Sequence, residues 1–144
     1  MYKFVLQFHS GWAYVVLIMI VIAVINALIG LSSKNPFTQK DKRISLFALL
    51  SVHIQFVIGL ILYFVSPNGM EKIKAVGMGG MSAYDRLLAL EHPLVNLIAI
   101  TLITVGWSRH KRASEQSKYK SIAVFYGLGL LLLLIRLPWQ NWFS

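Results

Sequence analysis

The sequence predicts an all-α fold of four transmembrane helices, packed as an up-down antiparallel bundle. Of its 144 residues, 57% are hydrophobic and only 13% are charged. The hydrophobic residues fall in four runs of roughly the 20 residues that a helix needs to cross a hydrocarbon core. Runs of this length without strict alternation favour helices over strands. The turns between most of the runs are short, so consecutive helices should be antiparallel neighbours, and the whole chain, 1–144, should form one domain.

The boundaries of the four spans follow from the apolar runs and from local start and stop signals. Ser82 and Asp85 have the spacing of a capping box, which predicts that the third helix begins near Ala83. Pro93 would lie inside that helix and should distort it, because proline has no backbone N–H to donate. The connection formed by residues 66–86 is predicted to be a loop. The predicted spans are residues 11–31, 44–65, 87–107 and 122–139.

Basic residues indicate how the bundle is oriented. Nine Lys and Arg residues lie in the first and third connections, and five lie at the other end of the bundle. Positive residues favour the cytoplasmic side, so both termini are predicted to be outside, N-out and C-out. The net charge of +9 is therefore explained by topology, and nucleic acid is not an expected partner. The expected partner is the lipid bilayer.

The chain contains no cysteine, which narrows the possible cofactors. Disulfide bonds, iron–sulfur clusters, thiolate metal sites and covalently attached haem are all excluded. Each hydrophobic run nevertheless has a histidine within it or at one edge, except the last, which is preceded by His110 in the connecting turn. Ionisable groups in a membrane are costly and usually face the bundle interior, where neutral imidazoles on facing helices can hold a haem.

Helix geometry favours His9 and His92 as a ligand pair for one haem iron. In an up-down bundle the first and third helices are diagonal, which suits two imidazoles on opposite sides of a ring better than adjacent helices do. His53 is the alternative ligand, although a single histidine in a helix more often makes one interhelical hydrogen bond. His110 is flanked by basic residues and is predicted to be solvated.

Charged residues near the outer end suggest further roles. Arg86 and Arg136 could pair with haem propionates. Glu91 could orient a histidine, relay a proton or form an ion pair with Arg136, and the sequence leaves these alternatives open. Three histidines with Glu91 could also bind a non-haem metal, provided that they lie at one depth.

Five segments resemble a family of small bacterial four-helix membrane proteins that are described as cytochrome b-like. They are residues 6–10 (LQFHS), 52–55 (VHIQ), 59–64 (GLILYF), 91–92 (EH) and 137–139 (LPW). The resemblance extends over nearly the whole chain. It implies haem b, one at most, and a redox role in the bacterial inner membrane, with His9, His53 and His92 at the motif positions.

Three functions are therefore expected from the sequence. The first is electron transfer by a small haem b protein or redox subunit, with quinone as a possible partner. The second is a non-catalytic accessory subunit of a larger membrane complex, or a self-associating chain, in which histidines only join helices. The third is a small membrane oxidase of porphyrin or quinol substrates, with Glu91 or His53 as proton acceptor. Whether the protein is an enzyme stays open at this stage.

Overall fold

The computed structural model describes residues 1–143, and every regular element among them is helical. Four helices are long and apolar enough to cross a membrane. The predicted all-α, four-span fold class is therefore confirmed. The placement of both termini outside stays a prediction.

Six α-helices make up the four spans and the connection between the second and the third. A π-helical turn, Leu87–Glu91, joins α4 to α5, so the third span is continuous from Ala83 to His110. The helices are α1 (Tyr2–Ser33), α2 (Gln39–Val65), α3 (Met70–Val76), α4 (Ala83–Arg86), α5 (His92–His110) and α6 (Glu115–Ile135).

The four long helices pack in the order expected of an up-down bundle. Helix α1 packs against α2 and α6, and α5 packs against α6 and, less extensively, α2. This leaves α1 diagonal to α5, and α2 diagonal to α6. Small residues allow close packing: a Cβ added to Gly129 would lie 2.6 Å from a side-chain carbon of Ile103. The fully buried core includes Ile20, Ala23, Ala48, Ile103, Ile122 and Tyr126.

The start of the third span confirms the predicted capping box. The side chain of Ser82 accepts from the backbone N–H of Asp85, and the carboxylate of Asp85 accepts from the backbone N–H of Ser82. Proline at position 93 cannot donate to the carbonyl of Ala89, four residues earlier. The chain accommodates this loss in the π-helical turn, where the N–H of His92 donates to the carbonyl of Leu87.

Several boundaries differ from the sequence prediction. Helices α1, α2 and α6 begin at Tyr2, Gln39 and Glu115, before the predicted starts at residues 11, 44 and 122. The connection at residues 66–86 contains α3 and a short 3₁₀ turn rather than loop alone. The fourth helix ends at Ile135, because Arg136 leaves helical geometry at φ −118° and ψ 19°. Leu137, which precedes Pro138, is also disfavoured in the α region. A 3₁₀ turn, Trp139–Asn141, then brings the chain back over the bundle end.

Candidate functional site

A cavity of about 960 Å³ lies at the bundle end where α1 begins. The first three spans contribute to its walls, and the segment after α6 lines it with Leu137, Pro138, Asn141 and Trp142. Most of the surface that it exposes is apolar. Volumes of this size are typical of cavities that bind a cofactor or another small organic ligand.

His9 and His92 both line this cavity and lie close together. Their ring centroids are 6.3 Å apart, and the ring planes are nearly perpendicular, at 83°. His9 comes from α1 and His92 from the first turn of α5, the diagonal helices. The structure thus brings together the two histidines that were predicted as a pair because they lie on diagonal helices.

The ring of His92 is held in one orientation and one tautomer. Its Nδ1 lies 2.8 Å from the backbone carbonyl oxygen of Arg136. A carbonyl can only accept, so Nδ1 carries the proton and Nε2 keeps its lone pair. Asn96, one turn further along α5, places its amide nitrogen 3.0 Å from Nε2 and donates to it. Fixing one nitrogen on a backbone carbonyl is a common way to prepare the other as a metal ligand.

His9 occupies space that only glycine leaves on the facing helix. A Cβ added to Gly59 of α2 would lie 3.0 Å from Cε1 of His9 and 3.5 Å from its Nδ1. The absent side chain therefore lets the imidazole pack directly against α2. The Nδ1 of His9 is nevertheless buried and has no hydrogen-bond partner.

Three buried polar atoms without a partner line this one cavity. They are Nδ1 of His9, Oε1 of Gln55 and Oδ1 of Asn96. Nearly all buried polar groups in native proteins are hydrogen-bonded, so each exception calls for an explanation. All three lie where a ligand with polar or metal-coordinating groups would satisfy them.

Glu91 and the two arginines form an ion-pair cluster beside the cavity rather than in its wall. Nε of Arg86 lies 3.0 Å from Oε1 of Glu91, and Nε of Arg136 lies 3.3 Å from Oε2. None of the three lines the cavity. Arg86 and Arg136 were expected to contact haem propionates directly. In this structure both guanidinium groups instead form ion pairs with Glu91 and do not face the cavity. The alternative ion pair of Arg136 with Glu91 is present.

His53 lies outside the cavity, on an exposed part of α2. Its Nδ1 donates to the carbonyl of Leu49 at 2.8 Å, and its Nε2 lies 3.4 Å from Oγ1 of Thr104 on α5. The structure does not bring it to His9 and His92. Among residues 1–143 no cluster of three His, Cys, Asp or Glu side chains could hold a metal ion, so the condition for a non-haem site with Glu91 is not met.

The prediction that His110 is solvated is wrong. The residue is 2% exposed and lies between Trp107 and Phe37, with ring centroids 4.4 and 5.5 Å from its own. Its Nδ1 donates to the carbonyl of Trp107. Phe37 belongs to the connection between α1 and α2, so the sequence around His110 gave no sign that an aromatic ring covers it.

Asp41 is a buried polar residue that sequence reasoning missed. Its carboxylate accepts from Nδ2 of Asn26 at 2.8 Å and from the hydroxyl groups of Thr38 and Tyr119 at 2.7 and 2.9 Å. Thr38 and Asp41 form a capping box at the start of α2. That spacing was a usable signal for the helix start, although not for burial.

No family model, curated protein or solved structure matches this chain. Its function is therefore inferred from the cavity. Two imidazoles, one of them held in a fixed orientation with its Nε2 lone pair accepting from the Asn96 amide, lie in a mainly apolar cavity within a membrane bundle. Such an arrangement can supply axial ligands to a flat, largely apolar prosthetic group.

Proposed function

We propose that this protein binds one haem b without a covalent bond and transfers electrons in the bacterial inner membrane. The observation that carries the proposal is the approach of His9 and His92 within one cavity, with ring centroids 6.3 Å apart. The two residues would be the axial ligands. The resemblance to cytochrome b-like four-helix proteins, taken from the sequence, points to the same group.

The dimensions of the site fit this cofactor. Two imidazoles that share one iron lie at about 2 Å from it on opposite sides, by analogy with other metal–imidazole bonds. Ring centroids about 6 Å apart are of the order that such an arrangement requires. The walls also suit a porphyrin, since leucine side chains from three of the four spans line the cavity. They are Leu6, Leu60, Leu62, Leu88, Leu90, Leu94 and Leu97.

Each residue of the site has a definite task in this proposal. The carbonyl of Arg136 holds the proton of His92 on Nδ1, which leaves Nε2 free to coordinate once the Asn96 amide turns away. Gly59 leaves the space in which the imidazole of His9 sits. The leucines exclude water. Haem iron with two imidazole ligands supplies reversible one-electron transfer.

Charge beside the cavity favours the carboxylates of such a cofactor. The Glu91 cluster contains two cations and one anion, and therefore keeps a net positive charge. Glu91 directly follows Leu90 and precedes His92, both of which line the cavity. Propionates near the mouth would gain from this field without displacing Glu91 from its arginines.

The electron partner in this proposal is a membrane quinone. Two of the three connections between spans are short and offer little surface for a water-soluble protein. A donor or acceptor dissolved in the bilayer would meet the spans that line the cavity. Glu91 is bound by both arginines, and neither Glu91 nor His53 lines the cavity, so the two proton acceptors expected of the oxidase alternative lie outside it.

The experiment is an absorbance spectrum of the detergent-purified protein, reduced with dithionite minus oxidised, together with a pyridine haemochrome assay. We expect a b-type signal at about one haem per chain. The variants His9→Ala and His92→Ala should each lose it, because each removes an axial ligand. His53→Ala is the matched control and should keep it, since His53 lies in the same membrane bundle but outside the cavity.

Two results would contradict the proposal. One is the absence of haem from protein made in cells supplied with iron and a haem precursor. The other is haem that survives in both cavity variants but is lost from His53→Ala. A folded variant is recognised by an unchanged elution volume and helical circular dichroism, so that loss of haem is separated from loss of fold.

A further inference from the structure

A second, smaller cavity of about 440 Å³ lies at the opposite end of the bundle. Three lysines line it from different parts of the chain: Lys42 from the first turns of α2, Lys111 from the turn after α5, and Lys118 from the start of α6. His110 and Phe37 form much of its remaining wall. The fold therefore gathers three ammonium groups around one pocket, although two of them are about 70 residues from the third in sequence.

No acidic side chain is found among the described residues that line this basic pocket. Of the two carboxylates nearby, one turns away from the pocket and the other pairs with one of the three lysines. Asp41 turns into the bundle toward Asn26 and Tyr119. Glu115 accepts from the backbone N–H of Phe37 at 2.8 Å and lies 3.9 Å from Lys118. Among the described residues Lys42 and Lys111 have no acidic partner. Like charges at one site repel, so an anion in the pocket would relieve a cost that Glu115 balances only in part.

Aromatic rings hold two of the lysines at the pocket. Nζ of Lys111 lies 5.4 Å from the ring centroid of Trp107, and Nζ of Lys118 lies 5.9 Å from that of Phe37. These cation–π contacts limit the motion of the ammonium groups. Lysine is a compact point charge that suits a phosphate oxygen, and the positive end of the α2 dipole, at Thr38 and Gln39, adds to the field.

The position of the pocket in the bundle indicates which molecule could bring a phosphate group to it. It lies where three membrane-spanning helices begin or end, and that is the level at which the headgroups of a bilayer lie. Basic pockets between transmembrane helices at this level are known to receive acidic lipid headgroups. We propose that the pocket formed by Lys42, Lys111 and Lys118 binds the phosphate of an anionic phospholipid. This site is independent of the proposed haem cavity.

The test measures lipid binding to the full-length protein in detergent by native mass spectrometry, with palmitoyl-oleoyl phosphatidylglycerol as the anionic probe and the matching phosphatidylcholine as the zwitterionic one. We expect one tightly retained phosphatidylglycerol and no tightly retained phosphatidylcholine. The triple variant Lys42→Gln, Lys111→Gln, Lys118→Gln should bind phosphatidylglycerol on the order of 100-fold more weakly, since each basic residue at an anionic headgroup contributes roughly fivefold.

A triple variant with the same charge change provides the control. Lys34, Lys40 and Lys120 lie at the same end of the bundle, are exposed and do not line the pocket. Their replacement by glutamine should leave the retained phosphatidylglycerol in place. The single variant Lys118→Gln, with an expected loss of roughly fivefold, serves if the triple pocket variant does not fold.

Three results would overturn the proposal. Equal weakening by both triple variants would mean that general charge attracts the lipid. Equal retention of phosphatidylcholine would mean that the pocket does not select an anion. Displacement of the lipid by the same concentration of inorganic phosphate would mean that the site takes a soluble anion rather than a lipid.

Discussion

The His9–His92 cavity and the network around Asp41 differ in whether their buried polar groups have hydrogen-bond partners. In the cavity, atoms of His9, Gln55 and Asn96 are buried without a partner. At the other end of the bundle the Asp41 carboxylate accepts from three side chains. Both regions place polar groups between apolar helices, and only one leaves them unpaired.

This difference distinguishes polar groups that are available to bind a ligand from polar groups that hold helices together. A satisfied network holds helices in one arrangement and gains nothing from a ligand. An unsatisfied set costs free energy until something fills it, and is retained where that occupant matters. Burial of a histidine or an acid alone is therefore a poor guide to function in a membrane bundle. The state of its hydrogen bonds is a better one.

The largest effect on the Asp41 end is expected from Gly30→Ala. A Cβ at position 30 would overlap the ring of Tyr119, whose hydroxyl donates to Asp41. Overpacking together with loss of that hydrogen bond should lower the free energy of unfolding by about 3 kcal/mol. Titration with sodium dodecyl sulfate in mixed micelles, followed by circular dichroism, measures it. Gly127→Ala is the control, because an added Cβ there meets nothing within 4 Å.

Removal of the acceptor itself should cost less, because no new atom is forced into the core. In Asp41→Ala the side-chain donors of Asn26 and Thr38 lose their acceptor, and the hydroxyl of Tyr119 keeps only the carbonyl of Pro36. We expect a loss of about 2 kcal/mol, the cost of leaving buried donors unsatisfied. The capping carboxylate of Asp85 is partly exposed, so Asp85→Ala should give a smaller loss in the same titration. Equal losses in the two variants would mean that Asp41 acts only as a helix cap.

At the cavity the matching glycine substitution should spare the fold and affect the ligand. In Gly59→Ala the new Cβ would lie 3.0 Å from Cε1 of His9, so the ring must shift by a few tenths of an ångström. Unfolding should change by less than about 1 kcal/mol, because the neighbouring cavity can accept the displaced ring. Haem retention should fall about tenfold if His9 is a ligand, since ligand rings must be held closely in place.

Gly11→Ala is the control for that prediction. Position 11 is on the same helix as His9, two residues further along, and an added Cβ there meets nothing within 4 Å. It should keep haem at the wild-type level. A Gly59→Ala protein that binds haem as the wild type does would remove His9 from the proposed ligand pair.

The sequence was sufficient for the parts of the structure that depend on local chemistry. Run lengths predicted the four spans, and the spacing of Ser82 and Asp85 predicted where the third one begins. The diagonal arrangement followed from the short connections, and with it the meeting of His9 and His92. Each of these features is set by residues that are near one another in the chain or by a general rule of bundle topology.

Contacts between segments that are distant in the chain could not be predicted from the sequence. Nothing near His110 indicated that Phe37 would cover it. The Glu91–Arg136 ion pair was one of the alternatives that the sequence left open, but nothing indicated that Arg86 would share the same carboxylate. The end of α6 at Ile135 depended on where Arg136 leaves the helix, and its carbonyl then meets His92. Such features depend on the rotation of each helix about its axis, which composition does not specify.

The smallest expected effect gives the sharpest test of the comparison, because one substitution is made at both ends. Asn26 and Asn96 are both partly buried, and leucine has a similar shape. Asn26→Leu removes a donor from Asp41 and should cost about 1–2 kcal/mol in haem-free protein. Asn96→Leu removes a buried oxygen that has no partner, which should stabilise the fold, and also removes one hydrogen bond to His92, which should destabilise it. The two effects should nearly cancel and change the free energy of unfolding by less than about 0.5 kcal/mol. Detergent titration of both variants measures the difference. If Asn96→Leu is as damaging as Asn26→Leu, the cavity is held together by its polar groups in the same way as the Asp41 network, and the distinction between the two ends fails.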